Sequence, residues 1–241
     1  MRILAIDTSN QTLSVAVCEN NRILGAYTST VQKNHSTTLM PAISKVMEDS
    51  QLKPKDLDRI VVAQGPGSYT GLRIGVTTAK TLAYSLSIDL VGISSLLTLA
   101  ANCLNMDSLI VPLFDARRNN VYSGAYQYDK VNENWETVIP DQHISMNQWL
   151  EKLKDFPSIY FVGEDVEKFR ITIEEKLDNA EINKHPQWQI PSGAVLAQLG
   201  AGKEPVKEVH HFLPEYLKRV EAEENWLKDH FPGDENYVEK I

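Results

Sequence analysis

The chain has 241 residues, 42% of them hydrophobic and 23% charged, which suits a globular protein with its own core and excludes a disordered or disulfide-built one. Its formal net charge of −8 argues against a protein that grips nucleic acid alone, because such a protein would show a basic face. The opening MRILAIDTS reads as a strand and not a signal peptide. No apolar run approaches the roughly 18–20 residues of a membrane span, and Cys18 and Cys103 lack metal or redox spacing, so buried thiols and a cytoplasmic location are expected.

Residues 2–6 and 13–18 read as strands around a polar turn, Asp7 to Gln11, and a tight turn at 19–21 leads into a third strand over 22–28. Leu39, Met40, Ile43, Val46 and Met47 form one apolar stripe of a helix that Pro41 places near Thr38 onward. Residues 59–64 are apolar on both faces, as in a buried parallel strand. Gly65-Pro66-Gly67 breaks it, a second helix is predicted over 71–86, and a short strand over 89–93. The order then restarts. Residues 109–114 lead into Asp115 as 2–6 lead into Asp7, and 11–18 lie over 119–126 without a gap. Strands at 135–139 and 159–163 and helices near 146–154 and 165–177 complete a second unit. Two tandem units of this order, each with an Asp ending its first strand, give the duplicated ribonuclease-H-like architecture of actin, Hsp70 and sugar kinases. The expected division is a first lobe over 1–105, a second over 106–204, and part of 205–241 packing back on the first. A short helix is predicted within 191–202, capped by Ser192, then a compact element at Pro214–Arg219. The acidic stretch 221–241 sets Glu221, Glu223, Glu224, Asp229, Asp234, Glu235 and Glu239 against Lys228 and Lys240.

Four features could carry chemistry. Asp7 and Asp115 end first strands that face each other across a cleft in this fold; either they hold a metal–nucleotide or orient a water, or each caps its own turn. Ser9, Arg117 and Arg118 flank them as candidate nucleotide or anion contacts. The run Gly65 to Gly75 follows a buried strand and opens a helix, but lacks the Gly-Lys-Ser/Thr of a phosphate loop and the spacing of a dinucleotide fingerprint. Gly71, Gly75, Ala79 and Ala83 recur every four residues, a flat face that admits close approach either by the lobe's own sheet or first helix or by a helix of another chain. His35 stands alone before a helix, and His210-His211 are adjacent, so neither makes a metal pair.

Ile3-Leu4-Ala5-Ile6-Asp7-Thr8-Ser9, His35-Ser36, Gly65 through Gly75, Ala79-Lys80, Gly92-x-Ser94-Ser95-Leu96, Asp115-Ala116-Arg117-Arg118 and Pro214-x-Tyr216-Leu217 together resemble the bacterial TsaB (YeaZ) family over nearly the whole chain. The resemblance implies an accessory role in forming N6-threonylcarbamoyladenosine at position 37 of tRNAs. The implied partners are a TsaD-type catalytic subunit and a TsaE-type ATPase, with ATP and a metal ion serving the complex, tRNA met only within it, and a homodimer when the chain is alone. It also implies that the first two helices build a bundle with the catalytic partner, which puts Leu39, Ile43, Gly71, Gly75, Thr78, Ala79 and Leu82 at the expected interface. The catalytic paralogue's His-x3-His metal site aligns with Ser95 and Leu99, which cannot hold a metal in that geometry, so no catalytic or metal residue is expected here. The alternatives are a hydrolase or peptidase, a label attached to the wider family, and a stand-alone nucleotide-binding module.

Overall fold

The computed structural model describes residues 1–31, 34–104 and 106–218. Arg219 and the acidic stretch 221–241 lie outside them. The first lobe is built on strands β1 (Arg2–Asp7), β2 (Leu13–Glu19), β3 (Arg22–Ser29), β4 (Arg59–Gly65) and β5 (Asp89–Ser94), in sheet order β3-β2-β1-β4-β5. The second is built on β6 (Leu109–Asp115), β7 (Asn120–Asp129), β8 (Asn134–Ser145), β9 (Ile159–Val162) and β10 (Ala180–Ile182), in order β10-β9-β6-β7-β8. Read from its last strand, the second sheet repeats the topology of the first. In each, the opening strand pairs antiparallel with the second and parallel with the fourth. The fold is therefore the duplicated architecture expected from the element order.

Period-2 patterning explains the layers of the first lobe. Leu4, Ile6, Val15, Val17, Ile60 and Val62 face helices α1 (His35–Asp49) and α2 (Tyr69–Leu86), which cover one side of the sheet. Ile3, Ala5, Ala16, Cys18, Val61 and Ala63 face the other way. α1 begins at His35, earlier than expected, because the Asn34 side chain caps it by accepting from the Ser36 N–H at 3.1 Å. Pro41 lies inside the helix on its exposed side, as does Thr37, whose carbonyl loses its usual donor to the proline.

The expected boundary of the second lobe is corrected by helix α6 (Gly193–Ala201), which packs under the first sheet. Ala194, Leu196 and Ala197 fill its second face, and a Cβ on Gly193 would touch the Ala16 backbone N at 2.9 Å. Arg59 anchors the end of this helix, its Nη1 donating to the carbonyls of Gly200, Ala201 and Lys203 at 2.9, 3.0 and 2.9 Å and its Nη2 to Asp89 at 2.8 Å. The chain then runs along the β5 side of the lobe, with the Val206 N–H on the Leu90 carbonyl at 2.8 Å and Val206, Val209 and Phe212 on the core. Residues 214–218 are not the compact element expected but a segment without helix or strand that crosses the end of β4.

In the second lobe, α4 (Met146–Leu153) and α5 (Arg170–Lys176) cover one face of the sheet, around buried Trp149, Leu150, Phe161 and Ile173. The single helix expected at 165–177 is a 3-10 turn over Glu164–Phe169 followed by α5. The other face meets α3 (Ser95–Ala100), a helix the strand-and-helix pattern does not announce. Leu96, Leu99, Ala100 and Cys103 join Ile110, Phe114, Tyr126, Tyr160 and Val162 in an apolar core between the lobes. No helix among the described residues is long and apolar enough to cross a membrane.

Candidate functional site

Above that apolar core the lobes part to leave an open cleft of about 900 Å³. The first lobe contributes Ser9, Asn10 and Gln11 from the β1–β2 turn, His35, and residues 67–70 at the start of α2. The second contributes Phe114, Asp115, Arg117, Tyr122, Asp165 and Lys168. Residues 215–218 form a third wall.

Asp7 and Asp115 occupy equivalent places and make the same local bond. Asp7 Oδ1 accepts from the Ser9 N–H at 2.8 Å, and Asp115 Oδ1 from the Arg117 N–H at 2.8 Å. Each thus caps its own turn, the simpler of the two readings open from the sequence. Their surroundings differ. Asp7 is fully buried behind Ser9 and does not line the cleft, and its Oδ2 has no partner among the described residues. Burial pushes its carboxyl up to about 6, against the opposing pull of Ser9 and the charge of His35. Asp115 does line the cleft. Its own desolvation is outweighed by the Lys168 ammonium and the Arg117 N–H, which hold it below the usual carboxylate range. Lys168 Nζ sits 2.9 Å from Asp115 Oδ2 and 2.8 Å from Asp165 Oδ1, while Asp165 Oδ2 accepts the Asp115 N–H at 2.9 Å. All four oxygens of this acid pair are therefore engaged by the chain's own donors. Arg117, Arg118 and Asn119 follow with φ of 67°, 53° and 59°, a left-handed run costing about 1–2 kcal/mol per residue, braced by Asn120 Nδ2 on the carbonyls of Arg117 and Arg118.

The Gly65–Gly75 run resolves residue by residue. A Cβ at any of Gly65, Gly67, Gly71 or Gly75 would lie closer than 3.0 Å to another part of the same chain: the Glu215 carbonyl, the Ser9 carbonyl, the Thr8 carbonyl and Thr8 Oγ1 respectively. Gly65 also has φ of 128°, which disfavours any side chain. The glycines let the β1–β2 turn and the C-terminal segment press onto the start of α2. Thr8 Oγ1 donates to the Gly71 carbonyl at 2.7 Å, the Ser68 N–H to the Ser9 carbonyl at 2.6 Å, and the Glu215 N–H to the Gln64 carbonyl at 2.7 Å.

Five of the residues expected at the partner interface are turned inward within the lobe. Gly71, Gly75 and Ala79 are buried against Thr8 and the lobe's own sheet, Leu39 and Ile43 lie in the same core, and Thr78 and Leu82 are half-buried. Small residues at four-residue spacing serve close internal packing as well as they would serve a foreign helix, and the spacing does not distinguish the two. The faces α1 and α2 turn outward instead carry Met40, Pro41, Ser44, Arg73, Thr77 and Tyr84. Two groups escaped sequence reasoning, the Asp165–Lys168 pair and a surface cluster of Tyr69, Arg73 and Tyr216. The first had a local signal in its three-residue spacing after a strand; the second had one in the four-residue spacing of Tyr69 and Arg73 on α2, but none for Tyr216, which is remote in sequence. Ser95 and Leu99 are fully buried, Leu99 within the interlobe core.

The family profile described as TsaD, tRNA N6-adenosine threonylcarbamoyltransferase, matches residues 12–226. The Bacillus subtilis protein named tRNA threonylcarbamoyladenosine biosynthesis protein TsaB is 46% identical over 230 residues, covering 95% of this chain and 99% of that protein. The Escherichia coli protein of the same name is 33% identical over 132 residues, 54% of this chain and 57% of its own. Among solved structures, YeaZ from Pseudomonas aeruginosa matches with a TM-score of 0.74 over 89% of this chain and 100% of its own, at 22% identity, a likeness of fold.

Proposed function

The chain belongs to the TsaB (YeaZ) family, and to the wider TsaD family whose profile it matches, and from that premise we propose that it is a non-catalytic subunit that binds and activates a TsaD-type catalytic partner. The product is N6-threonylcarbamoyladenosine at position 37 of tRNAs reading ANN codons, formed in the cytoplasm. The observation that carries the non-catalytic reading is the burial of Ser95 and Leu99. They stand where the family resemblance puts the paralogue's metal ligands, and an apolar side chain packed in the interlobe core offers no lone pair to a metal. The residues do not fit the ion, so metal chemistry belongs to the partner, and ATP turnover to a TsaE-type ATPase. The outward faces of α1 and α2, with Met40 47% and Tyr84 62% exposed, support docking there. Without the paralogue the same faces would pair two copies of the chain.

The deciding experiment is reconstitution of tRNA modification from purified subunits with and without this chain. Full activity of the catalytic subunit and ATPase without it would overturn the reading. A second reading, nucleotide binding by the isolated chain, is favoured by the size of the cleft and by Ser9 and Arg117 on its walls. Micromolar ATP binding in calorimetry, lost in Asp115→Ala, would support it.

A further inference from the structure

At the mouth of the cleft three side chains from two distant parts of the chain lock together. The Arg73 guanidinium carbon lies 4.3 Å from the centroid of the Tyr69 ring, and Arg73 Nε donates to the Tyr216 hydroxyl at 3.2 Å. The two tyrosine rings stand 5.0 Å apart at 36°. All three are exposed, Tyr69 by 39% and Tyr216 by 40%. An exposed arginine ordinarily samples many rotamers, and fixing one costs up to about 2 kcal/mol of entropy. Here the chain meets that cost internally, with one ring under the cation and one hydroxyl on its Nε.

We propose that Tyr69, Arg73 and Tyr216 are a preformed anchor for a carboxylate side chain of the partner subunit, so that the docking surface includes the C-terminal segment as well as α2. This rests on the function proposed above. Among the described residues Arg73 is held by tyrosines and by no carboxylate. Glu215, the adjacent acid on the same segment, turns instead to Gln64 Nε2 at 3.1 Å. With Nε engaged, the terminal nitrogens of Arg73 present the planar fork that seats a carboxylate. Arg73 also lies one turn into α2, whose positive end adds to its field. On a chain of net charge −8 this local cation selects an acidic protein side chain, whereas a nucleic-acid backbone would meet repulsion from the rest of the surface. Tyrosine and arginine are also the residue types that concentrate binding energy at interfaces.

The test compares full-length wild-type chain with Arg73→Ala, Arg73→Lys and Tyr216→Phe, titrated against the TsaD-type subunit at low and high salt. Arg73→Ala is expected to weaken binding by roughly 30-fold or more and to flatten its salt dependence. Arg73→Lys should recover little, lacking the fork, and Tyr216→Phe should cost a few-fold through loss of the hydroxyl that fixes Arg73. Melting temperatures should stay near wild type, because the three side chains are on the surface. Wild-type affinity in the variants would overturn this inference alone, as would an unchanged salt slope. So would tighter binding by Arg73→Ala, which would mean that the chain's own acidic residues occupy the anchor. Loss of tRNA retention or of self-association with paralogue affinity intact would also overturn it. Failure of the wild-type chain to bind the catalytic subunit would remove both this inference and the function beneath it.

Discussion

Substituting Gly75 by alanine separates internal from external packing of the small-residue face by the sign of one free-energy change. On an exposed helix face the substitution would stabilise the chain by about 1 kcal/mol through helix propensity. In the structure the new methyl lies well inside 3.0 Å of Thr8 Oγ1, on a threonine 1% exposed whose hydroxyl is committed to the Gly71 carbonyl. Relief requires a retreat of roughly an ångström or surrender of that hydrogen bond. Overpacking costs about 1–3 kcal/mol and the bond about 1 kcal/mol, so a net loss of about 2 kcal/mol is expected after the propensity gain. Thr8→Ala removes the obstructing Oγ1 together with Cγ2, and the neighbour that remains, the Cβ of residue 8, lies at 3.5 Å, an ordinary contact distance. The double variant should therefore be no less stable than Thr8→Ala alone, a coupling of about 2 kcal/mol. Urea unfolding of the four proteins in the cycle measures it. Additive effects, or a stabilising Gly75→Ala, would refute internal packing and return the glycine face to a partner.

Asp7→Asn tests the buried carboxyl. Its pKa is raised from 3.8 to about 6, so its contribution to stability is full below about pH 4 and is lost as pH rises through 6. The asparagine variant keeps the acceptor for the Ser9 N–H and should be more stable than wild type at pH 8 by up to about 3 kcal/mol, with the difference vanishing near pH 4; pH-dependent melting curves check this. Arg59→Ala strips three carbonyls at the end of α6 and one carboxylate of their donor and should cost about 2–4 kcal/mol in denaturant titration, with Arg59→Lys recovering only part. Gly65→Ala should lift the C-terminal segment off the end of β4, seen as faster hydrogen exchange at the Glu215 amide, which bonds the Gln64 carbonyl.

The duplicated fold was legible because its signals are local and periodic. The continuous apolar runs of β1 and β4, the apolar stripe of α1 and the Asp that ends each first strand can all be read within a few residues. α6 was credited to the second lobe because nearness in sequence stood in for nearness in space; its attachment depends on Arg59, Val61 and Ala16, far upstream. β10 has three residues, too few to show a period. At the site, the Asx turns of Asp7 and Asp115 followed from residue type, but their different burial did not, since it depends on what the other loops place over each carboxylate. The small-residue face was correctly seen as a surface of close approach. What approaches is Thr8, from the β1–β2 turn, a long-range fact that no helical spacing encodes.

The placement of α6 and the segment after it bears on how the chain comes to be folded during synthesis. The first lobe's sheet leaves the ribosome early, but Ile3, Ala5, Val61 and Ala63 are covered by residues 193–201, made after every strand of the second lobe. The second lobe's sheet and both its helices lie within residues 109–182 and need nothing from further downstream to close their core. The lobe encoded second can therefore fold first, while the lobe encoded first stays open on one face until α6 has been made. The fit at Gly65 is then among the last to form, when Glu215 has been made, so a nascent chain stalled before α6 would expose an apolar sheet face and invite chaperones or aggregation.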